Sequence, residues 1–147
     1  MGGLSTTLID SLDMLAVLRD RQGFTEGVDW VLEHIKNFDL DSNVSVFETN
    51  IRILGGLLSA HIIASNSTLQ MYLGTYNGGL LQLAVDLADR LLWAFDTPSH
   101  LPFGTVNLRR GVPIGESRIV CAACAATFSL EFGLLSALTG NPRFQFH

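Results

Sequence analysis

The sequence has few basic residues and no long hydrophobic run. Its 9 lysine and arginine residues stand against 14 acidic ones, which gives a net charge of −5. Nucleic acids are bound by basic faces, and the densest basic cluster is Arg109-Arg110 with Arg118 nearby, so we expect no nucleic-acid partner. No apolar run reaches the roughly 18 to 20 residues of a membrane span, and the first ten residues lack the features of a secretory signal. We therefore expect no transmembrane segment and no signal peptide in this chain.

Several common catalytic motifs are also missing. The sequence has no G-x-S-x-G nucleophile motif and no glycine-rich loop after a strand, which argues against a serine hydrolase and a nucleotide-binding fold. Its 4 histidines show no metal-ligand spacing. Carboxylates are therefore the candidate catalytic groups in the sequence.

The two cysteines form a single C-x-x-C, made by Cys121 and Cys124. This spacing occurs in redox pairs and in one half of a zinc site, but no second Cys or His pair stands at ligand spacing. Their small, apolar character favours plain packing or structural cysteines. The redox pair and the zinc half-site stay open as alternatives, and no residue is assigned as a metal ligand.

Hydrophobic residues are abundant, at 48% of the 147 residues against 16% charged. Such a composition predicts one domain with a core. Apolar residues recur at helical spacing in five segments, which predicts an all-α fold with helices near 6–18, 25–36, 46–64, 80–94 and 120–138. We expect Gly23 to end the first helix and Thr25 to cap the second. Residues 96–117 contain three of the four prolines and are predicted to form a long functional loop.

The pentapeptide GLLSA occurs twice, at 56–60 and at 133–137. Each copy lies at the same stage of a cycle of surface helix, loop and apolar helix, which predicts stacked helix hairpins better than a closed bundle. Five helices make two and a half hairpins. We therefore expect residues 1–147 to be a truncated portion of a larger domain.

The third predicted helix carries a polar face through an apolar segment. Glu48, Arg52, one of the two glycines Gly55 and Gly56, and Ser59 follow at helical spacing. Glu48 and Arg52 could form an ordinary exposed ion pair, worth ~0.3 to 0.5 kcal/mol. Alternatively, apolar neighbours desolvate Glu48, as in a carboxylate used for acid catalysis. The adjacent glycines predict close approach of another helix or of a ligand.

Further acids interrupt the apolar stripes of the first and fifth predicted helices. Asp10 and Asp13 do so on the first, and Glu131 does so on the fifth. If the odd-numbered helices face a common axis, these carboxylates converge there. The alternative for each is an ordinary exposed helix carboxylate.

Two N-x-S/T sequons begin at Asn43 and Asn66. Both would accept glycans in a secretory compartment, and both would be without meaning in the cytosol. Other features of the sequence must therefore indicate the compartment.

Four segments together resemble the signature blocks of one family. TLIDSLDML, FDLDSNVSVFETNIRILGGLLSAH, AFDTPSHLPFGTVNLRRGVP and LEFGLLSALTGNPRF are similar to successive blocks of the class I α-1,2-mannosidases, glycoside hydrolase family 47. VSVFETNIR, with its sequon, is most similar to the branch of ER degradation-enhancing mannosidase-like proteins. The resemblance runs in order from Gly2 to the last residues.

The resemblance implies an (α/α)₇ barrel of repeated helix hairpins with calcium at its floor. It implies inverting hydrolysis of terminal α-1,2-linked mannose from high-mannose N-glycans, in glycoprotein processing and ER-associated degradation in the endoplasmic reticulum. By the family's pattern Glu48 is the proton donor, and Asp10, Asp13, Arg52 and Glu131 line the glycan pocket. The second carboxylate and the threonine that binds calcium belong to later blocks of the family, without counterparts here.

Two positions depart from the family's pattern. Met14 stands where the family usually has threonine, and CAACAAT replaces a stretch that normally carries glycines. We expect the chain by itself to be inactive and poorly folded, because its helices are shaped to pack against further hairpins. The alternatives are a non-catalytic glycan-binding or scaffold protein in ER-associated degradation, and a generic α-solenoid interaction module.

Overall fold

A computed structural model describes residues 4–145 as α-helices with one small sheet. The elements, in chain order, are α1 (Thr6–Val17), α2 (Arg21–His34), β1 (Asn43–Ser45), α3 (Val46–Thr49), α4 (Gly55–Ser65), α5 (Gly79–Leu91), β2 (Thr105–Asn107), α6 (Ala122–Ala126) and α7 (Phe128–Thr139). A π-helical turn, Asn50–Leu54, joins α3 to α4, so residues 46–65 form one continuous helix, called the central helix below. Short 3₁₀ turns, Leu92–Phe95 and Pro142–Phe144, follow α5 and α7.

The turn between α1 and α2 differs from the prediction. The chain turns at residues 18–20, and α2 begins at Arg21, so the predictions that Gly23 ends the first helix and that Thr25 caps the second are wrong. Asp20 caps α2 by accepting the backbone N–H of Gly23 at 2.9 Å. A Cβ at Gly23 would lie 2.5 Å from the Asp20 Oδ2 atom, so glycine leaves room for the cap.

The central helix lies in the middle of the core, between α1 and α5, and also contacts α7. Its buried side includes the residues Leu54, Leu57, Leu58, Ala60 and Ala64. Burial of apolar surface stabilises a fold by ~25 cal/mol per Å², so the buried side of this helix contributes to the stability of the core. The residues on its remaining surface are therefore held on a rigid support.

A two-stranded sheet lies directly before the central helix. β1 pairs with β2 in antiparallel register, with Asn43 opposite Asn107. β2 lies inside the segment 96–117, which therefore contains regular structure that was not predicted. Ion pairs of Asp39 with Arg109 and of Asp41 with Arg110 fasten the same two segments together. The start of the central helix is thus fixed from outside the helix.

The fifth predicted helix is divided at Thr127 into α6 and α7. Phe128, Phe132 and Leu135 of α7 are buried, whereas α6 has no buried residue. Residues 122–139 meet the length and composition of a membrane-spanning helix, which departs from the prediction. This is weak support for a span, because the buried residues of α7 belong to the same core as the other helices.

Cys121 and Cys124 form a disulfide at the start of α6. Cys121 is exposed and Cys124 is half-buried. Plain packing of the two cysteines is therefore wrong, whereas structural cysteines, the other part of the prediction, agree with this cross-link at the surface.

Candidate active site

Glu48 lies in the first turn of the central helix, directly after β1. The Ser45 hydroxyl oxygen accepts the N–H of Glu48 at 3.3 Å and so caps the helix. A carboxylate in the first turn of a helix is favoured by the free N–H groups there. The Glu48 side chain accepts a hydrogen bond from Arg52, whose Nε atom lies 2.5 Å from the Glu48 Oε2 atom. The cap and this ion pair fix the position of the carboxylate.

Arg52 also connects the central helix to α1. Its Nη1 atom lies 3.2 Å from the Asp10 Oδ2 atom, so one guanidinium bridges two carboxylates. The hydrogen bond from Arg52 to Glu48 and the charges of Glu48 and Asp10 raise the pKa of Arg52. Arg52 is therefore a permanent cation between the two acids.

The bridged residues are open to solvent. The side chains of Glu48, Arg52 and Asp10 are 34%, 48% and 40% exposed. Glu48 is therefore half-buried and ion-paired, and its part in acid catalysis stays a prediction. Exposed ion pairs contribute little to stability, at ~0 to 1 kcal/mol, so folding alone does not explain three charged groups at one place.

An open cavity of about 760 Å³ lies beside this network, lined by Ser5, Thr6, Thr7, Leu8, Trp30, Glu48 and Arg52. Hydroxyl groups and charged groups supply hydrogen-bonding partners for a polar ligand, and the Trp30 ring supplies an apolar wall. Trp30 stacks on His34 with the ring centroids 4.3 Å apart, which supports its orientation. Such walls suit a ligand that is polar at its edges and apolar on its faces, as a sugar is.

Glu131 belongs to a different contact. It accepts a hydrogen bond from the Asn50 amide nitrogen at 2.9 Å, and Asn50 is fully buried in the π turn. This bond joins α7 to the central helix. Asn50 was not among the predicted site residues. Its signal is an asparagine, a poor helix former, inside an apolar helix.

The predicted site residues are thus only partly brought together. Asp10, Glu48 and Arg52 form one network, and Glu131 bonds to Asn50 outside the residues that line the cavity. Asp13 is exposed on α1, and its side chain makes no hydrogen bond or ion pair within residues 4–145. Trp30 was not predicted either, because its only signal is a large aromatic residue on the polar side of α2.

The two adjacent glycines of the central helix face different neighbours. A Cβ at Gly56 would lie 2.7 Å from the backbone oxygen of Ile9, so α1 packs directly against the helix backbone. A Cβ at Gly55 would lie 3.7 Å from the Cγ atom of Glu131, an ordinary contact distance. The close neighbour that the glycines predict is therefore a helix at Gly56.

The two sequons lie at the surface. Asn43 is exposed on β1, and its side-chain oxygen accepts a hydrogen bond from Asn107 at 2.9 Å. Asn66 follows α4, and its side-chain oxygen accepts the N–H and the hydroxyl of Thr68 at 3.0 and 2.7 Å. Glycosylation at these two positions stays a prediction.

Calcium does not fit the part of the chain that the structure describes. No group of three His, Cys, Asp or Glu side chains converges there to hold a metal ion. Carboxylates are the ligands that calcium usually recruits, several at a time.

A glutamate held beside an open cavity with hydroxyl and aromatic walls supplies one of the two carboxylates that glycoside hydrolysis uses. The sequence model described as Glycosyl hydrolase family 47 matches residues 1–146. The chain therefore belongs to glycosyl hydrolase family 47, and the predicted family is confirmed.

Curated relatives match nearly the whole chain. The "Alpha-mannosidase I MNS4" of Arabidopsis thaliana is 54% identical over 145 residues, covering 99% of this chain and 23% of its own length. The "ER degradation-enhancing alpha-mannosidase-like protein 1" of Schizosaccharomyces pombe is 51% identical, covering 98% of this chain and 18% of its own length. The human "ER degradation-enhancing alpha-mannosidase-like protein 2" is 47% identical, covering 98% and 25%. The chain therefore spans a quarter or less of the length of these relatives.

A solved structure agrees with the fold. The α-1,2-mannosidase from Trichoderma reesei superposes with a TM-score of 0.81 at 33% identity, covering 95% of this chain and 29% of the other. The predicted fold, part of an (α/α)₇ barrel of helix hairpins, is confirmed. The membership of an α-mannosidase family of glycosidases is confirmed with it.

Proposed function

We propose that this chain supplies the proton-donor side of an inverting α-1,2-mannosidase. Its substrate is terminal α-1,2-linked mannose on high-mannose N-glycans, removed in the endoplasmic reticulum during glycoprotein processing and ER-associated degradation. The names of the relatives support this role, and the observation that carries it is the position of Glu48. Its carboxylate is fixed by Arg52 at the edge of the open cavity.

Each residue of the network has a part in the proposed reaction. Glu48 gives a proton to the departing glycosidic oxygen, directly or through one water molecule. Arg52 holds the Glu48 carboxylate in place, and Asp10 holds Arg52 from α1. The hydroxyls and Trp30 bind the mannose ring. Inversion requires a second carboxylate that activates water, ~6.5 to 9.5 Å from the acid. The family resemblance implies that this base comes from later blocks, so we expect no mannose release from the 147 residues alone.

A chimera tests the role of Glu48. Residues 4–145 replace the matching portion of the Trichoderma reesei enzyme, and mannose release from a Man₉ glycan is measured beside glycan binding. Glu48→Gln removes the transferable proton with little change in shape. We expect kcat to fall by ~10² to 10⁴-fold with glycan binding retained.

The matched control is Glu33→Gln on α2. Glu33 is exposed and lies outside the cavity lining, so both trimming and binding are expected to stay unchanged. Equal trimming by Glu48→Gln and the parent chimera would contradict the acid role. Glycan binding without trimming in the parent chimera would favour the non-catalytic alternative, and mannose release by the isolated chain would contradict its predicted inactivity.

A further inference from the structure

A second open cavity, of about 480 Å³, lies beside β2 and is called the Trp93 cavity below. Three segments line it: the turn after α5 with Trp93 and Asp96, the residues before β2 with Phe103, and the residues after β2 with Arg109 and Arg110. Within residues 4–145, this cavity and that of the candidate active site share no lining residue. Small-molecule sites usually have volumes of ~300 to 1,000 Å³, so the Trp93 cavity is large enough for a small ligand.

Trp93 is a large aromatic residue that the fold leaves partly open. It is 41% exposed. The N–H of Phe103 donates to the carbonyl oxygen of Ala94 at 2.9 Å, which fastens the segment before β2 to the turn that carries Trp93. Gly111 has a φ of 84°, and a Cβ there would lie 3.8 Å from the Trp93 Cε3 atom, so the chain after β2 passes next to the ring. The indole is therefore held between fixed segments and offers its open surface to a ligand.

The chain after β2 forms a closed turn that presents two arginines to the Trp93 cavity. Asn107 and Gly111 exchange two backbone hydrogen bonds, at 2.8 and 2.9 Å. The side-chain oxygen of Asn107 accepts the N–H groups of Arg109 and Arg110, each at 3.0 Å. Because the turn is ordered before a ligand arrives, binding does not have to provide the free energy for ordering it.

The charges around the Trp93 cavity favour a neutral ligand. Arg109 is paired with Asp39 and Arg110 with Asp41, so the positive charges are offset. Each guanidinium carries five N–H donors, more than these pairs use. Asp96 is exposed, and its side chain makes no hydrogen bond or ion pair within residues 4–145, so its carboxylate supplies acceptors. Two positive and three negative groups disfavour an anion, whereas a hydroxyl group can use both the donors and the acceptors.

We propose that the Trp93 cavity binds a neutral oligosaccharide. One sugar ring lies on the open surface of the Trp93 indole, and its hydroxyl groups bond to the guanidinium groups of Arg109 and Arg110 and to the carboxylate of Asp96. A sugar suits these walls because its ring faces are apolar and its edges carry hydroxyl groups. The site rests on its own geometry and not on hydrolysis at Glu48. Only the choice of a high-mannose glycan as a probe rests on the proposed function.

The 2 tryptophans of the chain allow each cavity to be observed by itself, since Trp30 lines one and Trp93 lines the other. Trp30→Phe leaves Trp93 as the single tryptophan, and its fluorescence is followed while Man₉ glycan, maltotriose or inorganic phosphate is added to the 147-residue chain. We expect a saturable change with Man₉ glycan and none with phosphate. A change with phosphate, or no change with either sugar, would overturn the proposal. A change with maltotriose alone would support the carbohydrate site and contradict its link to the proposed function.

Variants of the Trp30→Phe chain locate the bound sugar. Asp96→Ala removes the acceptor and should weaken binding at least about tenfold, as loss of a central contact does. Glu33→Gln is the matched control, because Glu33 is exposed and lines neither cavity. Glu48→Gln should also leave the affinity unchanged, since Glu48 lines only the cavity of the candidate active site. Equal affinity of Asp96→Ala and the control, or a tenfold loss in Glu48→Gln, would refute the assigned site.

The chimera described above gives a measurement that does not depend on folding of the isolated chain. Labelling with fluorinated tryptophan provides a fluorine NMR resonance for Trp93, assigned by its loss in Trp93→Phe. In the Glu48→Gln chimera, which is expected not to trim the glycan, this resonance should shift when Man₉ glycan is added. A resonance that stays in place at saturating glycan would overturn the proposal, whatever the outcome of the trimming assay.

Discussion

Two neighbouring glycines provide the sharpest test of the packing of the central helix. Alanine is favoured over glycine in a helix by ~1 kcal/mol, so either Gly55→Ala or Gly56→Ala would stabilise an isolated helix. In the folded chain, a Cβ at Gly56 would lie 2.7 Å from the backbone oxygen of Ile9 and 2.9 Å from its Cγ2 atom. A backbone carbonyl cannot rotate away, so α1 must move as a unit.

We expect the two substitutions to have opposite signs. Overpacking costs ~1 to 3 kcal/mol, which exceeds the gain in helix propensity, so Gly56→Ala should lower the free energy of unfolding. At Gly55 the added methyl group meets Glu131 at 3.7 Å, so Gly55→Ala should raise the free energy of unfolding by up to ~1 kcal/mol. Urea unfolding followed by helical circular dichroism measures both values. Equal stability of the two variants would refute the argued contact between α1 and the central helix.

Two further predictions concern buried polar contacts. Burial lowers the pKa of His61, whose ring nitrogen Nδ1 lies 2.8 Å from the Tyr76 hydroxyl. The unfolded chain then binds the proton more tightly, so stability should be full above about pH 6.5 and should fall as the pH decreases. Urea unfolding at a series of pH values checks this prediction. If the free energy of unfolding of His61→Gln depended on pH as steeply as that of the parent chain, the prediction would be contradicted. Asn50→Ala leaves Glu131 without its buried donor, and we expect a loss of ~1 to 3 kcal/mol in urea unfolding. A smaller loss in Asn50→Ala than in the exposed control Asn37→Ala would contradict the bridging role of Asn50.

The helices could be predicted because their apolar residues follow the helical period over long segments. The first residue of α2 could not be predicted, because Asp20 and Thr25 are both acceptable N-cap residues. Which of them caps the helix depends on the space beside Gly23. The sheet of three-residue strands could not be predicted either, because its register depends on a pairing between Asn43 and Asn107, which lie far apart in the sequence.

The candidate site divides in the same way. Glu48 and Arg52 are four residues apart in the sequence, so their contact follows directly from helix geometry. Asp10 joins it from 42 residues away, and Asn50 meets Glu131 across 81 residues. Such contacts are set by the packing of whole helices, which periodicity alone does not determine. The acids of the odd-numbered helices were therefore found as candidates, but their grouping required the structure.

The π turn of the central helix has a consequence for evolution by insertion and deletion. A π turn contains one more residue than an α turn, and each residue of a helix corresponds to a rotation of about 100°. A deletion in a regular α-helix would rotate everything after it by that angle, whereas deleting one residue from Asn50–Leu54 would restore an ordinary α turn and leave the later residues in phase with Glu48. Gly56 would therefore stay against Ile9, and the change would be confined to the turn itself. With this extra residue, Glu48 and Arg52 in the first half of the helix line the cavity, and the second half packs in the core.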